Sequence, residues 1–411
     1  MTKKVSNTNS SSGSIIDIIG SLDNSAEVLS ETKSAIIKEY INSGNYILNA
    51  AMTGSIFKGL PSGKVVLLGG IQGSGKSFLA LSLCRNAQKM GYIPIYMDSE
   101  GAIDRDFVTR LGCDPTRFII KQVTTIREVS TFMANILQKL QEAPEESRDK
   151  VIFVLDSLGN LTSDKEFNNT IEGGTTRDMT KQQEVKALFR TNSTALAKVQ
   201  APFVVCSHIY QTMDLYSKAV ISGGSGALYN ASITLMLSPA KLDDKESDKE
   251  AEKRTGDFIK TGVIVTAKPE KSRFTIPQKV QFQIPFFKAP NPYIGLEKYL
   301  TWENSGIMRG KLLSQKEYDK LSESDKALCQ PMKDAIGNDC YAYPKITSNK
   351  IVVKHLGGEV PIAEMFTSKV FTDELLHKLD DEVIRPLFEL PTQCAADDVH
   401  EYAQLENDDN E

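Results

Sequence analysis

The chain has 411 residues, 40% of them hydrophobic and 25% charged, with a formal net charge of −5. These are the proportions of an ordinary globular protein, long enough for one large core plus appendages, and they exclude a fibrous or wholly disordered chain. The mild acidity provides no global basic field, so a nucleic-acid partner requires a local basic stripe.

The first dozen residues, rich in Ser and Asn, are expected to be disordered. Within Met1–Gly20, Asp17 splits Ile15-Ile16 from Ile18-Ile19, leaving no apolar run long enough for a signal peptide. No apolar stretch approaches a membrane span. Six cysteines at no ligand spacing point to reduced thiols and a cytoplasmic location. From Ser14 to about Ile47 the apolar residues recur at near-helical spacing, so residues 1–50 are read as a disordered start followed by a helical, oligomerising segment.

Residues 51–307 alternate strand and helix. Strands are predicted at Lys64–Gly69, Ile93–Met97, Val151–Leu155, Phe203–Cys206, Ile233–Leu237 and Gly262–Ala267. Helices are predicted at Phe78–Gly91, Ile126–Leu140 and Met179–Val199. That order implies an α/β core with a mostly parallel sheet covered on both faces. Lys241–Arg254, almost wholly charged, is read as a solvated loop. Residues 308–391, lower in apolar content, are read as a small accessory domain. Residues 392–411 form an acidic tail, with seven Asp or Glu and no Lys or Arg between Ala396 and Glu411.

Gly70-Ile71-Gln72-Gly73-Ser74-Gly75-Lys76-Ser77 fits the pattern G-x-x-x-x-G-K-[ST], after a strand and opening a helix at Phe78. Glycines let backbone N–H groups curl around phosphates, and the helix start adds its positive dipole end. Lys76 would neutralise the β- and γ-phosphates, while the Ser77 hydroxyl would ligate magnesium. ATP and Mg²⁺ are therefore the expected cofactors. Asp156 follows the most apolar strand and would face the crevice at the strand ends, a second metal position. Hydrolysis also needs a group that orients the attacking water. Asp98 and Glu100, both at the end of the strand that follows the first helix, compete for that role on chemistry alone.

Tyr96–Asp104, with Leu111-Gly112-Cys113-Asp114 beyond it, resembles a segment of the RecA-type recombinases. So do Val154–Leu161, and Ser207–Tyr210 followed by Gly223–Tyr229. Asp156–Leu161, Asp178-Met179-Thr180, Leu188-Phe189-Arg190 and Glu270–Arg273 resemble in particular the recombinases of T-even-type phages. The likeness covers roughly residues 50–300. It implies that Glu100 is the general base, that Asp104 contacts the adenine, and that His208 stands where the family has a glutamine sensing the γ-phosphate. It further implies that Lys271 and Arg273 enter the neighbouring subunit's ATP site, with Lys268 a nearby competitor. Two loops would bind single-stranded DNA: one with Arg177, Met179 and Lys181, followed by Arg190 on the next helix, and one with Tyr210, Met213 and Lys218. Cations follow phosphates while apolar and aromatic side chains stack on bases.

The resemblance implies an ATP-dependent DNA recombinase that filaments on single-stranded DNA and pairs it with homologous duplex. Its setting would be phage recombination, repair and recombination-dependent replication in the host cytoplasm. A recombination mediator and a single-stranded-DNA-binding protein would be partners. The competing functions are a hexameric helicase of the DnaB type and a non-enzymatic, nucleotide-binding polymer.

Overall fold

The computed structural model describes residues 36–172, 180–211, 219–222, 225–240, 262–285 and 290–390. The acidic tail, Lys241–Arg254, the disordered start and the helical spacing before residue 36 lie outside the described residues. Two strands open the described chain, β1 (Tyr40–Ile41) and β2 (Leu60–Pro61), paired antiparallel. The apolar spacing predicts helix at Tyr40 and Ile41. It is mimicked there by a two-residue ladder in which only Ile41 is buried.

The central sheet is built from β3 (Val65–Gly70), β4 (Ile93–Asp98), β5 (Ile119–Gln122), β6 (Val151–Asp156), β7 (Phe203–Gln211), β8 (Ala219–Ile221), β9 (Ile233–Ala240), β10 (Gly262–Ser272) and β11 (Val280–Pro285). Its spatial order is β11-β10-β9-β3-β7-β6-β4-β5, with β8 paired to β7. From β9 to β5 the neighbours run parallel. The β9–β10–β11 edge and β8 are antiparallel, so the sheet is mixed.

All six residues of β3 and of β6 are buried, because both faces of these strands are covered. Side chains alternate across the sheet, so Val66 and Leu68 enter one apolar core while Val65 and Leu67 enter the other. On the second face, helix Ile126–Glu142 buries Ile126, Val129, Met133 and Leu137 at helical spacing. Thr125 caps that helix by accepting the Glu128 N–H, and the helix stops ahead of Pro144. Helix Lys181–Val199 covers the same face through Val185, Leu188, Phe189 and Leu196. Helix Lys76–Lys89 covers the opposite face.

Beyond the core, β12 (Ile307–Ser314), β13 (Gln330–Lys333), β14 (Asp339–Pro344), β15 (Lys350–Val353) and β16 (Gly358–Pro361) form an antiparallel sheet ordered β13-β14-β12-β15-β16. The chain then turns back. A helical run from Asp373 to Phe388 buries Leu375, Leu376, Leu379, Ile384 and Phe388 in the same core as Ile47 and Leu48. The last part of the expected accessory domain is thus packed on the central α/β core. Among the described residues no helix is long and apolar enough to cross a membrane. Cys84, Cys113, Cys206, Cys329 and Cys340 are free and buried.

Candidate active site

In register, Gly70 lies beside His208, and Asp98 lies beside Asp156. The C-terminal ends of β3, β7, β6 and β4 therefore converge on one crevice, where ligands bind in open α/β sheets. Gly73 and Gly75 adopt positive φ (72° and 88°), which a side chain would strain. A Cβ on Gly75 would also stand 2.2 Å from Ile284 Cδ1, and one on Gly70 2.3 Å from Ser74 Oγ. The loop needs its glycines both for backbone conformation and for close packing on the sheet.

Lys76 Nζ donates to the carbonyls of Gly70 and Ile71, each at 2.9 Å. Burial lowers its pKa from the usual lysine value, against the opposing pull of Asp156 and Glu100. Ile71, Gln72 and Gly73 are exposed, Ser77 and Phe78 half-buried. Phe78 packs its ring against the apolar core. Ser74 Oγ is buried without a hydrogen-bond partner among the described residues.

Asp156 is buried and accepts a 2.7 Å hydrogen bond from the Tyr96 hydroxyl through Oδ2. On the neighbouring strand, Asp98 and Glu100 are bonded differently. Asp98 Oδ1 accepts the N–H groups of Glu100 and Gly101 (2.9 Å each), and its Oδ2 that of Ile103 (3.2 Å). A buried carboxylate spent on three backbone donors shapes the loop rather than activating water. Glu100 is left facing the crevice, its side chain 31% exposed.

Glu100 Oε1 accepts the Ser157 hydroxyl at 2.8 Å and stands 2.9 Å from His208 Nε2. Burial pushes the Glu100 pKa up, but the hydrogen bonds from His208 and Ser157 and the charges of His208 and Lys76 outweigh it. The net shift is downward. Ser99 locks the two strand ends together, its Oγ donating to the Ser157 carbonyl (2.7 Å) and accepting the Ser157 N–H (2.8 Å). Sequence reasoning misses Tyr96, Ser99 and Ser157 as site residues. Tyr96 lies two residues before Asp98 on the same face of β4, a signal that register with β6 makes readable.

These residues fit a magnesium-bound nucleoside triphosphate. The orphaned Ser74 hydroxyl, the Lys76 ammonium resting on loop carbonyls and the Ser77 hydroxyl at the helix start form a cradle for anionic oxygens. Among the described residues no group of three or more His, Cys, Asp or Glu could hold a metal. Ser77 and Asp156 would hold magnesium together with phosphate oxygens and water, the ion's usual arrangement beside nucleotides.

Asp104 caps helix Arg105–Arg110, accepting the Phe107 N–H at 2.7 Å. With Ile103, Val108, Phe118 and Ile120 it also lines a cavity of about 390 Å³.

Of the expected DNA contacts, Arg177, Met179, Met213 and Lys218 lie outside the described residues. Arg190 and Tyr210 are exposed. Lys181 Nζ turns toward its own chain, 3.4 Å from the Gly159 carbonyl. Lys271 likewise donates to the carbonyls of Leu228 (3.0 Å) and Tyr229 (2.7 Å). Arg273 and Lys268 are exposed.

A family model described as the RecA N-terminal domain matches residues 20–268. The chain is 26% identical over 358 residues to the "Recombination and repair protein" of Enterobacteria phage T4, an alignment spanning 81% of this chain and 85% of that protein. It is 38% identical over 84 residues to "Protein RecA" of Bifidobacterium breve, 20% of this chain and 21% of that one. Against "Protein RecA" of Corynebacterium jeikeium it is 31% identical over 162 residues, 38% and 40% of the two chains.

Proposed function

The chain belongs to the RecA family, and on that premise we propose that it is a DNA-dependent ATPase whose hydrolysis drives pairing of single-stranded DNA with homologous duplex. The observation that carries this reading is the convergence of Lys76, Glu100, Asp156 and His208 at adjacent strand ends, with Glu100 and His208 2.9 Å apart.

Bound ATP–Mg²⁺ supplies the phosphoryl group and the Lewis acid. Lys76 would neutralise negative charge on the β- and γ-phosphates, and Ser77 and Asp156 would hold the metal with its water. Glu100, a carboxylate at neutral pH that its neighbours stabilise further in the ionised form, orients and polarises the attacking water. His208 can donate to a phosphate oxygen or to Glu100, so the arrival of a γ-phosphate and the aim of the base depend on one imidazole. Its backbone carbonyl accepts the Ser222 N–H at 2.7 Å, which ties the return of the second loop to the same residue. Nucleotide state and DNA contact are coupled through that strand end.

Self-association has a physical basis at the other edge. Among the described residues β5 pairs only with β4, and its Ile119 and Ile120 are each 47% exposed. An apolar strand edge of this kind suits a strand from a second copy. Lys271 and Arg273 would then complete the neighbour's ATP site, and Arg190 and Tyr210 would contact DNA phosphates and bases.

The test is to incubate the full chain with ATP and single-stranded DNA, then add duplex. Joint molecules that require homology, with DNA-stimulated hydrolysis, are expected. Unwinding of a forked duplex regardless of homology would instead identify a helicase, and absence of hydrolysis would identify a nucleotide-binding polymer.

A further inference from the structure

Lys271 lies in β10, and the Arg273 N–H donates to the Ser232 carbonyl at 3.1 Å, so the sheet holds Arg273 from one side and the turn after it from the other. After β10 the chain leaves the sheet at Ser272, whose hydroxyl accepts the N–H groups of Phe274 and Thr275 at 3.1 Å each. Thr275 is 1% exposed and donates through Oγ1 to the Ala51 carbonyl at 3.4 Å. It also forms an antiparallel bridge with Glu389, and the Ile276 N–H donates to the Phe388 carbonyl at 2.7 Å. The turn after Arg273 is therefore gripped between helix Tyr46–Thr53 and the last residues of the helical run ending at Phe388.

Besides its apolar packing, that helical run is tied in turn by one buried carboxylate. Asp380, 1% exposed, accepts the Ser55 hydroxyl and the Ile56 N–H at 2.7 Å each, and Arg385 Nε at 3.0 Å. Ser55 and Ile56 directly follow helix Tyr46–Thr53 and its cap Gly54. Both jaws of the grip are thus tied together at Asp380. A charge taken out of water this completely is stable only with such a set of donors, and truncating it leaves all of them orphaned.

We propose that Asp380 is a positioning residue for trans-hydrolysis: through Ser55, Ile56 and Arg385 it fixes the C-terminal strap, and the strap sets where Arg273 is presented to the neighbouring subunit. This rests on the reading that Lys271 and Arg273 act in trans. A misplacement of about 1 Å in a catalytic group can cost on the order of a hundredfold in rate. Releasing the strap should accordingly lower turnover at the neighbour's site while the subunit's own nucleotide site stays intact.

Mixing two defective proteins tests this. Asp380→Ala alone is expected to lose at least about tenfold in DNA-stimulated turnover with ATP affinity within about threefold. Glu100→Gln alone lacks the base at every interface. In an equimolar mixture, about a quarter of head-to-tail interfaces pair an intact nucleotide site with an intact Arg273 segment. Turnover should then rise above the mean of the separate proteins, and Asp380→Asn, which still accepts the Ile56 N–H, should lie between wild type and Asp380→Ala.

No recovery on mixing would overturn the proposal, as would an Asp380→Ala defect seen only as weaker ATP binding. The same mixture made with Arg273→Ala separates the two readings. Recovery there but not with Asp380→Ala sinks the strap alone, whereas failure in both sinks the trans assignment. If Asp380→Ala does not fold, Arg385→Gln, at a half-exposed side chain, replaces it in the mixture with the same expected pattern at smaller amplitude, and no recovery there overturns the proposal equally.

Discussion

The imidazole Nε2 of His208 lies 2.9 Å from Oε1 of Glu100, joining β7 to the loop that follows β4. The same Glu100 oxygen accepts the Ser157 hydroxyl beyond β6. Three neighbouring strands therefore meet on one carboxylate oxygen, beside the loop Gly70–Ser77. The arrangement has consequences that can be measured.

With Glu100 as the proposed base, its lowered pKa sets the expected pH dependence of hydrolysis. A base works when ionised, so activity falls on the acid side as pH drops through its folded-state pKa. The acid limb of kcat/KM, which reports the free enzyme, should lie below the ordinary glutamate range. In the same sense, Glu100 contributes stability present above its unfolded value and lost as pH falls through the folded one. His208→Ala removes the largest favourable hydrogen bond and should shift the limb upward. A pH–rate profile with an unmoved limb would separate His208 from the base.

Asp98→Ala leaves the N–H groups of Glu100, Gly101 and Ile103 without their acceptor. Loss of about 2 kcal/mol of stability is expected, since each orphaned donor costs about 1–3 kcal/mol less whatever water recovers. Chemical denaturation reads that loss. Asp98→Asn, whose amide oxygen still accepts, should recover part of both stability and turnover.

Gly75→Ala combines a side chain at φ 88° with a Cβ only 2.2 Å from Ile284 Cδ1. It should abolish the rise in melting temperature that ATP–Mg²⁺ gives the wild type, while the unliganded melt changes by a few degrees. A full nucleotide-induced shift in this variant would mean that the loop does not hold phosphate as described.

Arg190 is exposed on helix Lys181–Val199. If it follows the DNA backbone, Arg190→Ala should weaken single-stranded DNA binding evenly across sequences and reduce the salt slope by about 0.7. An unchanged slope, measured by titration at several salt concentrations, would place Arg190 outside the path of the DNA.

How much of this is legible in the sequence depends on how local each signal is. Gly70–Ser77 is contiguous, so strand, loop and helix announce themselves together, and Asp156 stands at the end of an unmistakably buried strand. Spacing alone does not choose between Asp98 and Glu100. The choice rests on where three backbone N–H groups point, which only the folded loop shows. β5 escapes notice because Ile119 and Ile120 form a short, half-exposed edge rather than a buried run. The link from Asp380 to Ser55 spans 325 positions, and no periodicity carries information over that distance. The Lys271 and Arg273 pair is visible as two cations, but not that Lys271 rests on the carbonyls of Leu228 and Tyr229.

The central claim is that Glu100 orients the water at a site otherwise complete for binding ATP. Glu100→Gln preserves shape and removes the charge, so the decisive measurement sets ATP–Mg²⁺ affinity beside DNA-stimulated turnover in that variant. The account predicts affinity within about threefold of wild type and turnover lower by about 10²–10⁴-fold. Turnover equal to wild type at equal affinity would contradict it.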